Sequence, residues 1–101
     1  MDPEKPDILQ IADVVISTSG RDTDEMFYVV HTEYPMVYLV NGKDRTLDKP
    51  KLKKFKHVRK VLRSETRVAE KLRAGDKVLN SELRRDLAFL AREMQSNNLG
   101  G

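Results

Sequence analysis

A dense run of basic side chains lies between Lys43 and Arg63, and it is the part of the sequence best suited to binding chemistry. It holds ten lysines and arginines against two acids, a net charge of +8. Residues 1–42 carry −6 and residues 64–101 carry +1, so the total of +3 hides a concentrated positive segment. Cations at this density attract phosphate groups, which predicts a polyanionic partner.

Apolar residues interrupt this basic run at short intervals. A disordered basic tail has little use for them, so we predict an ordered basic surface rather than a merely solvated charged face. The interrupting residues are Leu52, Phe55, Val58, Val61 and Leu62. The first-choice phosphate contacts are Lys53, Lys54, Lys56, Arg59 and Lys60.

No catalytic or metal-binding pattern accompanies the basic run. The two histidines, His31 and His57, have no further ligands at metal-binding spacing. Ser17 and Asp22 are not part of a nucleophile-elbow motif. We therefore predict that the protein is not an enzyme and uses no cofactor, metal or small-molecule substrate. His57, which lies within the basic run, is a candidate contact for the polyanion.

The composition bounds the class of protein. With 101 residues, of which 35% are charged, the chain is expected to form one small domain. The sequence has no Cys, which excludes disulfides and thiolate metal sites. No apolar run approaches the roughly 20 residues of a membrane span, and the acidic start is unlike a signal peptide. The expected location is cytoplasmic, without a membrane partner.

Short apolar runs separated by turn-forming residues predict a set of strands. Pro35 marks a bend between two of them, and Asn41-Gly42 predicts a hairpin. Several short strands in about fifty residues favour a small closed or nearly closed antiparallel barrel. The predicted strands are Ile8–Thr18, Met26–Tyr34, Met36–Val40, a short one around Asp44–Leu47, and Phe55–Val61.

The hydrophobic period changes from two to 3.6 after Arg63, which predicts two helices. Ser64 is the expected N-cap of the first helix and Gly75 its C′ residue. The second helix is expected to begin at Asn80 or Ser81. Its apolar stripe either packs on the rest of the chain or docks on a partner protein. The stripe consists of Leu83, Leu87, Leu90 and Met94.

Three tyrosines, Tyr28, Tyr34 and Tyr38, offer aromatic rings that could stack on unpaired bases. Alternating aromatic residues more often fill the core of a small barrel, and the sequence favours that role for them. Phe27 and Phe55 are likewise interpreted as core residues.

Five segments of the sequence resemble a KOW domain, all within residues 8–61. More closely, the chain is similar to small bacterial KOW-type RNA-binding proteins that resemble certain large-subunit ribosomal proteins of archaea and eukaryotes. This resemblance implies a mainly β fold with α: a small SH3-like antiparallel barrel followed by two C-terminal helices. It also implies binding to structured, usually ribosomal, RNA. The segments are Asp13–Asp22, Phe27–Val30, Asn41–Lys43, Lys49–Lys51 and Lys56–Val58.

The first loop departs from the KOW pattern, which normally carries a glycine there, often beside a basic residue. Asp24 stands in the glycine's place, and Asp tolerates a left-handed backbone better than most residues. The neighbouring acids Asp22 and Glu25 would repel phosphate together with Asp24. Only Arg21 is therefore predicted to contact RNA from this loop.

The predicted organisation is a flexible tail over residues 1–7, a barrel over 8–63 that ends in the basic run, helices over 64–95 and a flexible tail over 96–101. We predict a non-catalytic, translation-related protein that binds structured RNA, with the ribosome or ribosomal proteins as further partners. The alternative is a protein-interaction adaptor that uses the acidic first loop and the C-terminal helix. The predicted RNA contacts are Arg21, Lys43, Arg45, Lys49, Lys51, Lys53, Lys54, Lys56, His57, Arg59 and Lys60.

Overall fold

A five-stranded antiparallel sheet followed by two helices forms the protein in the computed structural model, which describes residues 8–100. A 3₁₀ turn, Phe55–His57, joins the last two strands. This architecture confirms the predicted antiparallel sheet with two C-terminal helices. The strands are β1 Asp13–Ser17, β2 Met26–Glu33, β3 Met36–Val40, β4 Lys51–Lys54 and β5 Val58–Arg63; the helices are α1 Arg67–Ala74 and α2 Asn80–Gly100.

The strand order is β4-β3-β2-β1-β5, and every neighbouring pair is antiparallel. In the described residues no ladder joins β4 to β5, so the sheet is barrel-like but not closed. The 3₁₀ turn connects these two edge strands. Phe55 N donates a hydrogen bond to Pro35 O at 2.9 Å, and His57 O accepts one from Thr18 N at 2.9 Å. We call the gap between β4 and β5, with the 3₁₀ turn that spans it, the seam.

Alternation along the strands builds a core on each face of the sheet. One face, which we call the inner face, buries Val15, Phe27 and Leu39 against each other and half-buries Phe55 and Val58 beside them. The opposite, outer face presents Val14, Tyr28 and Val40 to the two helices. Helix α1 contributes Val68 and Ala69 to this core, and α2 contributes Leu83, Leu87 and Leu90. The apolar stripe of α2 therefore packs within the chain, the first of the two predicted roles.

Three of the predicted strand assignments were wrong in detail. Ala12 adopts a φ of 74°, and the turn around it delays the start of β1 until Asp13. The segment around Asp44–Leu47 forms no strand, only a bridge between Thr46 and Lys49. Phe55–His57 is the 3₁₀ turn, and β5 begins only at Val58.

The loop after β3 is fixed by a side chain rather than by a tight hairpin. Asn41 Oδ1 accepts hydrogen bonds from the backbone nitrogens of Lys43 at 2.9 Å and Arg45 at 3.1 Å. Asparagine side chains commonly close turns in this way. The predicted Asn41-Gly42 turn is therefore real, but it opens a longer connection to β4 and not a two-residue hairpin.

The helix ends agree with the predictions at two of four places. Gly75 ends α1 in the left-handed conformation, with a φ of 75°, and α2 begins at Asn80. Thr66, not Ser64, caps α1, because Ser64 instead bonds to the Tyr28 hydroxyl at 2.7 Å. The α2 backbone continues to Gly100, so the tail predicted from residue 96 was wrong for residues 96–100. The tail predicted over residues 1–7, like Gly101, lies outside the described residues.

Hydrogen bonds attach the helices to the sheet. Arg84 Nη1 donates to Gly42 O at 2.7 Å, and Leu47 N donates to Asn80 Oδ1 at 3.1 Å. Tyr28 adds a buried link, since its hydroxyl bonds to both Ser64 and Asp86. No helix among the described residues is long and apolar enough to cross a bilayer.

Candidate nucleic-acid interface

Strand register divides the basic run between the two faces of the sheet. Lys51 and Lys53 stand opposite Leu39 and Val37, both of which are inner-face residues. Lys54 stands opposite Met36 and therefore projects from the outer face. Neighbouring lysines in one four-residue strand consequently point in opposite directions.

The inward lysines are held by buried carboxylates. Lys53 is only 9% exposed, and its Nζ donates to Ser19 O at 2.9 Å and to Asp22 Oδ1 at 2.8 Å. Lys51 Nζ lies 3.1 Å from Asp22 Oδ2. On β5, Lys60 Nζ lies 3.4 Å from the fully buried Asp13. Three of the predicted phosphate contacts are therefore already paired within the protein.

Asp22 is the acceptor at the centre of this arrangement. Burial alone would raise the pKa of its carboxyl, but hydrogen bonds from Lys53, Ser17 and Lys51 outweigh burial and hold that pKa well below its usual range. The carboxylate is thus charged and compensated from two sides. The expectation that Asp22 repels phosphate was wrong, because its charge is taken up by Lys51 and Lys53.

The first loop contains a residue in the left-handed conformation. Asp24 has a φ of 74°, in the left-handed region, and its amide donates to Ser17 O at 2.8 Å. Asp24 therefore tolerates the left-handed backbone that was expected of it. Asp24 and Glu25 are exposed, so they are the acids of this loop that face solvent.

Three outward cations line the seam. Lys54 ends β4, Lys56 lies in the 3₁₀ turn and Arg59 lies in β5 opposite Ile16, all three exposed. None of them forms an ion pair in the described part of the chain. We call Lys54, Lys56 and Arg59 the seam cations. His57 is half-buried between Lys56 and β5, and the exposed Lys49 precedes β4.

The remaining predicted contacts lie in a mixed-charge region. Arg21, Arg45 and Lys51 line a polar cavity of about 230 Å³ together with acids from both adjoining loops. Those acids are Asp22, Glu25 and Asp44. Lys43 instead borders a second cavity, of about 520 Å³, beside α2. These residues are therefore not part of one continuous positive surface with the seam cations.

The three tyrosines have different environments. Tyr28 is fully buried, as predicted, and burial together with Asp86 raises its pKa to about 12. Tyr34 is 69% exposed in the turn between β2 and β3, and Tyr38 is half-buried on the outer face. The core interpretation was wrong for Tyr34 and Tyr38. The predicted core role holds for Phe27, which is buried, and in part for Phe55, which is half-buried.

Among the described side chains, no three His, Asp or Glu groups come together to hold a metal ion. No family model matches the chain, and no curated protein matches it in a sequence search.

Proposed function

We propose that the protein is a non-catalytic RNA-binding protein that captures the phosphates of a structured RNA through the seam cations. The observation that carries this proposal is the presence of three exposed cations within six residues, Lys54, Lys56 and Arg59, with no ion-pair partner in the described chain. Lysine and arginine side chains in such a position contact phosphates and fix the orientation of the RNA. Lys49 extends this surface at the start of β4.

The seam presents these cations on a fixed backbone. Lys54 is part of the β3–β4 ladder and Arg59 part of the β1–β5 ladder. The 3₁₀ turn between them is tied to Thr18 and Pro35 by backbone hydrogen bonds. A backbone that is already ordered loses little conformational entropy on binding, which favours affinity.

The resemblance of the sequence to KOW-type proteins supports RNA as the polyanion, and ribosomal RNA in particular. The exposed side chains of the basic run are concentrated along β4, the 3₁₀ turn and β5, as a binding surface for a polyanion requires. A translation-related role in the cytoplasm, with the ribosome or ribosomal proteins nearby, is part of the same proposal.

The adaptor alternative is less well supported. Its helical surface is occupied, because Leu83, Leu87 and Leu90 are buried against the sheet and α1. The first loop also presents less negative charge to a partner than the sequence indicates, since Asp22 is paired with two lysines. A protein partner would have to bind elsewhere.

A salt titration of binding to a ribosomal RNA fragment tests the proposal. The wild-type chain is compared with a triple variant, Lys54→Ala, Lys56→Ala and Arg59→Ala. Each lost phosphate contact should make the slope of log affinity against log salt shallower by roughly 0.7 to 0.9, so the triple variant should flatten it by about 2 to 3. Circular dichroism checks that both proteins are folded.

A matched control removes the same number of charges elsewhere. Arg67, Lys77 and Arg92 are exposed and lie on the helices and the loop between them. Replacing these three by Ala should leave most of the slope in place. If the control variant flattens the slope equally, the effect comes from net charge and not from the seam cations. If the wild-type chain does not bind the RNA even at low salt, the RNA-binding proposal is refuted.

A further inference from the structure

A row of three side chains, two exposed and one half-buried, crosses three strands on the outer face, next to the seam. Tyr38 of β3 stands opposite His31 of β2 on one side and Leu52 of β4 on the other. The His31 and Tyr38 rings lie 5.1 Å apart, edge to face. Leu52 is 51% exposed and His31 is also exposed, so neither helix covers this row.

A second ring lies at the turn that follows β2. Tyr34 is 69% exposed, and its ring packs edge to face on Phe55, with the ring centroids 5.0 Å apart. Phe55 is itself the first residue of the 3₁₀ turn. We call His31, Tyr34, Tyr38 and Leu52 the aromatic patch.

The aromatic patch adjoins the seam cations through the strand ladder. Lys54 lies two residues after Leu52 and on the same outer face, opposite Met36. Lys56 follows Phe55, on which Tyr34 packs. The exposed His31 ring and the half-buried Tyr38 ring therefore lie on the same outer face as Lys54. The exposed Tyr34 ring lies beside Lys56 at the 3₁₀ turn, where it packs on the inner-face residue Phe55.

We propose that the aromatic patch stacks on unpaired bases of the bound RNA, while the seam cations hold the adjoining phosphates. This inference rests on the proposed function and narrows the ligand to RNA with a single-stranded loop, bulge or end. Every base offers a π face, and stacking on Tyr or His rings is the usual way that proteins bind unstacked bases. A fully paired helix keeps its bases stacked on each other and offers no such face at its sides.

The charges around the aromatic patch favour single-stranded RNA over an apolar peptide as its ligand. An apolar peptide would gain nothing from Lys54 and Lys56, whereas a single strand presents bases and phosphates in alternation. Glu33 is the one acid that stands in the adjoining row, opposite Met36, and the Tyr38 hydroxyl reaches its Oε1 at 3.4 Å. Two cations and three rings thus outweigh one carboxylate at this surface.

Binding of two short RNAs tests the inference: a single strand of alternating adenine and cytosine, and a blunt duplex of the same length. The double variant Tyr34→Ala, Tyr38→Ala should lose at least about tenfold in affinity for the single strand, since each ring that stacks on a base contributes to the affinity. Its affinity for the duplex and its salt slope should be unchanged. The matched variant Tyr34→Phe, Tyr38→Phe keeps both rings and should bind like the wild type.

Fluorescence provides a second readout, because the chain contains three tyrosines and no tryptophan. Stacked bases should quench the emission of Tyr34 and Tyr38, while buried Tyr28 supplies a constant background. Quenching by the single strand and not by the duplex is the expected result.

The failures of the two proposals are distinguishable. If the Ala variant binds both RNAs like the wild type while the seam-cation variant does not, the stacking inference is overturned and phosphate capture stands. If the wild type binds neither short RNA, the stacking inference fails; if it also fails to bind the ribosomal RNA fragment at low salt, phosphate capture fails with it.

Discussion

Lys53 and Lys54 are adjacent lysines in one short strand, yet they have opposite environments. Lys53 is 9% exposed and bonds to Asp22 and Ser19, whereas Lys54 is exposed and has no ion-pair partner in the described chain. The same contrast separates Lys60, paired with buried Asp13, from its neighbour Arg59. Strand alternation, not residue type, decides which cations face solvent.

This comparison changes how a basic run should be counted. The segment from Lys43 to Arg63 carries a net charge of +8, but part of that charge neutralises two buried acids within the fold. The inward lysines are paired with these carboxylates, and the outward cations face solvent. The two sets should therefore respond differently to mutation.

The largest effect is expected from removing the carboxylate that holds the inward lysines. Asp22→Ala leaves buried Lys53 without its counter-ion and should lower the free energy of unfolding by about 3 kcal/mol. Urea denaturation measures this loss. Glu25→Ala, which removes an exposed acid from the same loop, is the control and should change stability little. A loss below about 1 kcal/mol for Asp22→Ala would contradict the buried-pair interpretation.

The adjacent lysines provide the sharpest comparison. Lys53→Met should cost about 2 kcal/mol of unfolding free energy, because Asp22 loses one of its two charged donors. Lys54→Met should cost no more than about 0.5 kcal/mol, as is usual for an exposed site. Under the proposed function the order reverses for RNA, since only Lys54→Met should make the salt slope shallower. Equal stability losses would remove the distinction between the two sets.

Acid should weaken the inward set selectively. The pKa of Asp22 is lower in the folded protein than in the unfolded chain, where a carboxyl of this type titrates near 4. Its stabilisation is therefore fully present above about pH 4 and is lost progressively as the pH falls further, toward its folded-state pKa. Urea midpoints measured between neutral and acidic pH should fall less steeply for Asp22→Asn than for the wild type. Parallel curves would show that Asp22 is not the linked group.

The smallest effect is expected from substitution of Asp24, because it changes the exposed charge of the loop and leaves the ion pairs of Asp22 intact. Asp24→Gly relieves a left-handed residue and should raise stability by about 0.5 kcal/mol. It also removes an acid from the solvent-facing side, so RNA binding should tighten at low salt. Asp24→Asn removes the charge and keeps a side chain, which separates the two contributions. Weaker binding of both variants would indicate that Asp24 itself contacts the ligand.

The sequence predicts local features well. Pro35 marks the turn between β2 and β3, Gly75 ends α1, and Asp24 adopts the left-handed backbone that Asp tolerates better than most residues. Each of these depends on one residue and its neighbours. The order of strands followed by helices is likewise visible as a change in hydrophobic period.

The division of the candidate site could not be predicted in the same way. Lys53 and Asp22 are 31 residues apart, and no local pattern announces their contact. The position of half-buried Tyr38 between His31 and Leu52 depends on the register of β3 against both neighbours, which alternation within β3 alone does not reveal. Strand pairing and acids distant in sequence therefore determine which side chains of the basic run are paired and which face solvent.

The open seam has a consequence for the behaviour of the protein in solution. In the described residues, β4 and β5 each have one edge without a partner strand, and such edges can pair with another chain and nucleate aggregates. Lysine on an edge strand discourages this pairing by charge repulsion and by its solvation. Lys54 and Arg59, which we propose as RNA contacts, should therefore also oppose self-association of the chain. Substitutions that weaken RNA binding at the seam should consequently reduce solubility as well, most visibly at high salt, where the charges of the seam are screened.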